Sequence, residues 1–300
     1  MKTNTQKRFL VIALTATIAL LTALGGIAAQ NDYEPGDVEL VYVEWARSTA
    51  ITHVAAEILD RLGHDVSILS VANAAMWSSV ANRDADALLA AWLPATHSAY
   101  YGVNGEFSDD VVNLGPNYTG AKLGLVVPSY VTIDSIAELA ANIDQFDGQI
   151  IGIDPGAGMM QQTEAAIENN VSGIGDFELV EGSGATMTAA LDSAIDNEEW
   201  IVVTGWQPHW MFGRWDLKIL TDPDGIFGDE ETINTIISET LPLENPLAYQ
   251  FFAEFDWLQI DLGAVLVANQ NGTDPEDSAV NFVDENLDLI NRLLPAGMSI

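Results

Sequence analysis

The chain of 300 residues contains no cysteine. That excludes disulfide bridges, thiolate catalysis, cysteine-ligated zinc and a lipid-bearing N-terminal cysteine. Basic residues are scarce as well: 10 Lys and Arg stand against 44 Asp and Glu, a formal net charge of −34. Nucleic acids and anionic membrane surfaces are recognised through basic patches, so neither is an expected partner. A surface this acidic suits a molecule kept soluble in strong salt, where screening removes its self-repulsion. The short signatures of several enzyme and nucleotide-binding classes are also missing: there is no HExxH, GxSxG, GxxxxGK or GxGxxG. Ser183 in EGSGAT has Glu181, not glycine, two positions earlier, so it is no nucleophile elbow. DPDGIFGDEE (222–231) is rich in carboxylates but misses the spacing of a calcium loop, and it reads as a solvated turn before a helix. Neither an enzyme, nor a metal site, nor a cofactor is expected.

Long apolar runs are confined to the N-terminus. Lys2, Lys7 and Arg8 precede the run Phe9 to Leu24, and small residues follow through Ala29. Residues 1–29 therefore read as a signal peptide or an N-terminal membrane anchor, since 21 mostly apolar residues from Phe9 to Ala29 would also span a bilayer. Either way the rest of the chain is exported, to the periplasm or the outer face of the cytoplasmic membrane. Cleavage would remove three basic residues and no acids, taking the charge from −34 to −37.

What is present is alternation. VELVYVEW (38–45) reads as a strand, and a helix follows with apolar residues at Ile51, Val54, Ala55, Ile58, Leu59 and Leu62, capped by Ser48 or Thr49 and ended by Gly63. VSILSV (66–71), ALLAAW (87–92), AKLGLVV (121–127), QIIGI (149–153), FELVEG (177–182), IVVTGW (201–206) and DLKIL (216–220) are further strand patterns, with helical patterns between most of them. From about 229 to 294 the chain reads mainly as helices. Such alternation predicts an α/β fold, its sheets mixed and mainly parallel with helices on their faces. Two βαβ series suggest two lobes: residues 30–120 with 221–300, and residues 121–220.

Three of the strand patterns end in tryptophan: Trp45, Trp92 and Trp206. Ligands of α/β folds sit at the carboxyl ends of strands, so three indoles converging there suggest an aromatic cage for a cation. A quaternary ammonium has no N–H to donate and is held by ring quadrupoles and dispersion. Two features suit an anion. His97 follows Trp92 past a proline turn in AWLPATH, and DPGAG sets the backbone N–H groups of Gly158 and Met159 at a helix N-terminus. A cage and a clamp together suggest a zwitterion. Protonation of His97 at lower pH would be expected to strengthen the clamp. Within TGWQPHWMFGRW (204–215), Trp210 and Trp215 read as packing residues and His209 as a capping or supporting group. Asp154 reads as ordering the loop before Pro155.

The segments VEWARSTAITHVAAEIL, AMWSSVAN, DALLAAWLPATH, LGLVVPSY, IGIDPGAGMM and VVTGWQPHWMF, in that order, resemble the glycine betaine substrate-binding proteins of ABC transporters. The resemblance runs over roughly residues 38–290. It implies a two-lobed periplasmic-binding-protein fold of type II that closes on its ligand. It also implies a cage of Trp45, Trp92 and Trp206, and a carboxylate clamp of the His97 side chain with the Gly158 and Met159 amides. The function it implies is extracytoplasmic capture of glycine betaine for an ABC transporter permease. Proline betaine, carnitine, choline and an ectoine-type solute are the alternatives in the same class. The cysteine that tethers many relatives is missing here.

The charge balance yields the first prediction. The thermal unfolding midpoint should rise between dilute buffer and molar salt; an equal midpoint in the two would sink the reading of a salt-adapted surface.

Overall fold

The computed structural model of the protein describes residues 34–300, so the segment expected as a signal or anchor lies outside the described residues. Nine strands among the described residues form one sheet: β1 (Asp37–Tyr42), β2 (Asp65–Ser70), β3 (Ala87–Leu93), β4 (Val111–Pro128), β5 (Gln149–Ile151), β6 (Glu178–Val180), β7 (Val203–Gln207), β8 (Leu217–Ile219) and β9 (Glu231–Ser238). The order across the sheet is β2-β1-β3-β9-β4-β7-β5-β6, with β8 pairing β4. Around β1, three strands run parallel (β2, β1, β3), and β9 closes that group antiparallel. Beyond β4, three more run parallel (β6, β5, β7). Between the two groups lies β4 itself. Its first part pairs β9 from Val111 to Ala121, and its last part pairs β7 and β8 from Lys122 to Pro128, all antiparallel. The two halves are therefore joined through one strand, and residues 35–300 cluster as one compact unit.

Helix α1 (Ala46–Arg61) buries Ile51, Val54, Ala55, Ile58 and Leu59, the positions that a 3.6-residue period picks out. It begins earlier than expected. Trp45 is its N-cap, with no side-chain capping bond, and Ser48 is already inside the first turn. Gly63 follows the helix at φ 98°, a backbone region that glycine enters without strain. α2 (Asn73–Ala81) carries the fully buried Trp77. α3 (Gly158–Glu168) and α4 (Gly184–Asp196) flank the second group of strands, and α5 (Met211–Arg214) is one turn long. The stretch after β4 forms two 3-10 pieces, Ile136–Glu138 and Ala140–Phe146, opened by a capping box between Ser135 and Glu138. Five helices between Leu241 and Leu293 return to the first half, where Phe251, Phe252, Phe282 and Val283 share a core with Leu40, Ile51 and Ile58.

Two strand assignments differ from the sequence reading. β9 falls where helix was expected. Its buried isoleucines, 233, 236 and 237, have the spacing of a helix face, because a strand buried on both sides shows no alternation. β4 begins ten residues before the strand pattern AKLGLVV, running through Gly115, Pro116 and Gly120 with register shifts that absorb these breakers.

Asn117 on β4 ties that strand to the first group. Its amide nitrogen donates to the Leu89 carbonyl at 3.0 Å and to Thr235 Oγ1 at 3.1 Å. Its side-chain and backbone oxygens both accept from the Arg47 guanidinium, at 2.9 and 3.0 Å. Arg47 is buried and also lies over the Tyr118 ring, 5.0 Å from the centroid. Burial pushes its pKa down to about 10, so it remains cationic at neutral pH. Asn117→Ala should cost about 3 kcal/mol, since it strips a buried cation of one acceptor. Adding Arg47→Met should return part of that loss. Urea denaturation of the two variants checks both statements.

Candidate ligand-binding site

The start of α1, the end of β3, the start of α3 and the end of β7 surround one partly open, mostly apolar cavity. It leaves about 30 Å³ for the centres of water-sized spheres, more than one water needs. Trp45, Trp92, His97, Gly158, Met159 and Trp206 all line it, together with Arg47, Ser48 and the apolar side chains of Leu123, Ile153 and Ile233. The six residues singled out in the sequence are thus brought together. Their local settings are less uniform than three strand ends. Trp45 lies three residues past β1 and caps α1, whereas Trp92 and Trp206 are the last-but-one residues of β3 and β7.

His97 is fully buried. Its ring lies between Trp45, with centroids 5.9 Å apart, and Trp77, which meets it edge-on at 5.7 Å. The Trp92 backbone N–H donates to Nδ1 at 3.1 Å. An amide nitrogen can only donate here, so Nδ1 presents a lone pair and the proton of the neutral ring sits on Nε2. Nε2 is buried and meets no protein acceptor among the described residues. Burial pushes the pKa down to about 3. The expected gain from protonating His97 is therefore corrected: a second proton would go onto Nδ1 and break the bond to Trp92.

Two helices open on the same cavity without side-chain caps. α3 has Ala157 as N-cap, and the N–H groups of Gly158 and Met159 find no protein partner among the described residues. α1 has Trp45 as N-cap, and Ser48 Oγ in its first turn is buried and unpartnered. Uncapped first turns leave donors free and carry the positive end of the helix dipole. Gly158 has no room for a side chain, because a Cβ there would stand 2.2 Å from the Thr96 carbonyl oxygen.

Carboxylates stand one step back. Glu231, buried at the start of β9, accepts from the Ala95 and Thr96 amides at 2.6 and 3.0 Å and from the Thr96 hydroxyl. It holds the turn that carries His97. Asp154 accepts from the Trp45 indole N–H at 2.8 Å, a contact beyond the loop-ordering role read from the sequence. Trp206 is backed by His209, edge-on with ring centroids 4.6 Å apart. His209 Nδ1 accepts from the Met211 amide at the start of α5, and Trp210 packs on Trp215 at 5.4 Å, the supporting roles read from the sequence. The turn over 222–228 is organised by Asp222, which accepts from the Phe227 amide, and it leads into β9 rather than a helix. No group of three or more His, Asp or Glu able to hold a metal occurs among the described residues.

A sequence model described as the substrate-binding domain of the ABC-type glycine betaine transport system matches residues 36–285. The chain belongs to that family. It is 39% identical over 149 residues to the glycine betaine/carnitine transport binding protein GbuC of Listeria monocytogenes, a match covering half of this chain and half the length of that relative. Among solved structures it is similar to lactococcal OpuAC in its closed-liganded conformation with glycine betaine, at 40% identity and TM-score 0.81, covering 87% of this chain and 100% of the other. It is also similar to a choline-binding protein in complex with choline, at 25% identity and TM-score 0.80, covering 88% and 92%. The fold is that of the type II periplasmic binding proteins, and the relatives are binding proteins of transport systems. No helix among the described residues is long and apolar enough to cross a membrane.

Ser48, Arg47, Asp154 and Glu231 were not assigned to the site from sequence. The signal for Glu231 was hidden among the acids of DPDGIFGDEE, and the only local sign of Asp154 is its place before a helix N-terminus.

Of the buried histidines, His97 and His209 carry the largest shifts, and burial lowers His64 in the same direction. Burial pushes both His97 and His209 to about 3, against 6.5 in the unfolded chain. Below pH 6.5 the unfolded chain takes up protons that the folded protein refuses. Stability is complete above that pH and falls as pH drops toward 3, by up to about 1.4 kcal/mol per pH unit for each ring. Urea denaturation between pH 7 and 5 should show this slope, and His209→Asn should make it shallower by one histidine's share.

Proposed function

We propose that the protein is an extracytoplasmic solute-binding protein that captures glycine betaine, or a closely related quaternary-ammonium zwitterion, and delivers it to an ABC importer. The observation that carries this reading is the pairing of unpartnered donors with indoles in one cavity. Nε2 of His97 and the amides of Gly158 and Met159 are donors without acceptors. Trp45, Trp92 and Trp206 line the same cavity. A carboxylate meets the donors at the uncapped start of α3, and a trimethylammonium meets the ring faces, so both charges of a buried zwitterion are satisfied. A zwitterion without net charge is also not repelled by a protein of −34, as an anionic solute would be.

Choline carries the ammonium but a hydroxyl in place of the carboxylate, and it would leave these donors unmatched; burying unmet donors costs about 1–3 kcal/mol each. That ranks the betaines above choline, despite the similarity to a choline-binding protein. The two groups of strands act as lobes, residues 30–120 with 221–300 and residues 121–220, and ligand favours the closed arrangement because only there do the six residues meet. The partner is the permease of the importer, placing the protein outside the cytoplasmic membrane. Its family of transport binding proteins supports a carrier rather than an enzyme.

Tryptophan fluorescence of the protein in high salt, titrated with glycine betaine, proline betaine and choline, tests the proposal. A saturable change with glycine betaine at concentrations well below those needed for choline is expected. Trp92→Ala should weaken glycine betaine by about 2 kcal/mol, roughly thirtyfold in Kd, for one desolvated ring. His97→Ala should lose about 1.5–3 kcal/mol of charge-assisted hydrogen bonding. Unchanged affinity in both variants would remove the cage and the clamp together.

A further inference from the structure

We infer that Asp154 is a positioning residue for the cation-binding ring of Trp45, acting on the ligand only through that ring; the inference rests on the cage reading above. The indole N–H of Trp45 donates to Asp154 Oδ1 at 2.8 Å, across 109 residues of chain. Trp45 is an N-cap with extended backbone, held by no capping bond of its own. Asp154 sits between β5 and α3, in the other group of strands, and is not among the residues lining the cavity. Its carboxylate therefore stands at the N–H edge of the ring, away from the face that a ligand would meet.

Two physical effects follow. A charge-assisted bond at Nε1 removes the freedom of the indole to turn about its side-chain bonds, so the face is presented in one orientation. Negative charge at the polar edge also pushes electron density toward the ring face, which strengthens its attraction for a cation. The carboxylate contributes through the ring without entering the cage, where it would equally attract metal ions and primary ammonium groups. Neighbouring contacts keep the loop in place. Asn73, fully buried on α2, donates to the Gly156 carbonyl at 3.1 Å, and the Thr96 carbonyl packs against Gly158 with no space for a side chain between them. The Trp45–Asp154 bond forms only when the β5–α3 loop abuts the start of α1, which ties the orientation of one cage wall to the docking of the two halves.

The experiment is a double-mutant cycle on glycine betaine affinity with Trp45→Phe and Asp154→Ala, since phenylalanine keeps a ring but has no N–H. Asp154→Ala should weaken binding about tenfold in the native background, and Asp154→Asn, which keeps an acceptor without the charge, about threefold. In the Trp45→Phe background Asp154→Ala should change affinity by less than about twofold. An equal loss in both backgrounds, or no loss in the native one, overturns the inference. The indole nitrogen–proton signal of Trp45 gives a second readout that does not depend on affinity; it is assigned by its disappearance in Trp45→Phe and, recorded in the closed state that a bound solute stabilises, should move upfield in Asp154→Ala. If the unmutated protein ignores glycine betaine, the ligand reading fails by itself. The indole signal, recorded with whichever solute closes the protein, then judges Asp154 alone, and an unmoved signal overturns the inference.

Discussion

The bond from the Trp92 amide to Nδ1 of His97 decides what the cavity can recognise. It joins the last residues of β3 to the turn that follows, and it settles which ring nitrogen keeps the proton. With Nδ1 occupied, Nε2 can only donate, and burial among Trp45, Trp77 and Tyr100 keeps the ring neutral. The same bond holds the imidazole close to the indole that precedes it by five residues, so the proposed anion clamp and one wall of the proposed cage share a single rigid turn. Glu231 fastens the other end of that turn by taking the amides of Ala95 and Thr96.

The electrostatics of the site run against those of the molecule. The chain is strongly acidic, yet the cavity presents donors: an imidazole N–H and the uncapped starts of α1 and α3, while the Arg47 guanidinium beside it is engaged by Asn117. Nearby acids are spent on the frame. Glu231 accepts from a turn and Asp154 from an indole, each hydrogen-bonded to protein rather than open to the cavity. On the proposed reading, a carboxylate is met by dipoles and one neutral ring, and an ammonium by polarisable carbon. Such a cavity would discriminate by matching both ends of a solute rather than by the sign of its charge.

Much of this was legible in the sequence because it is local. The period of α1, the glycine after it, the strand runs of β3 and β7, and the turn DPGAG each depend on residues a few positions apart, and the structure follows them. The placement of Trp45, Trp92, His97, Gly158, Met159 and Trp206 around one space was likewise reachable, since strand ends and helix starts gather on one side of an α/β sheet. What escaped was either long-range or patternless. β9 is buried on both faces and lost the alternation that would have marked it, and β4 crosses glycines and a proline by shifting register. The partners of Asp154 and Glu231 lie 109 and 135 or more residues away, a separation at which no spacing rule operates.

The dependence of the His97 turn on Glu231 also sets an order of events during folding. A chain delivered from its N-terminus presents Trp45, Trp92, His97 and the α3 start long before residue 231. Until that carboxylate arrives to close a loop of some 135 residues, the Ala95 and Thr96 amides have no partner, and the turn has no reason to hold one conformation. The recognition surface is thus completed by one of the last strands to join the sheet, so a truncated or stalled chain ending before β9 has the six residues but lacks the carboxylate that fixes the turn between Trp92 and His97.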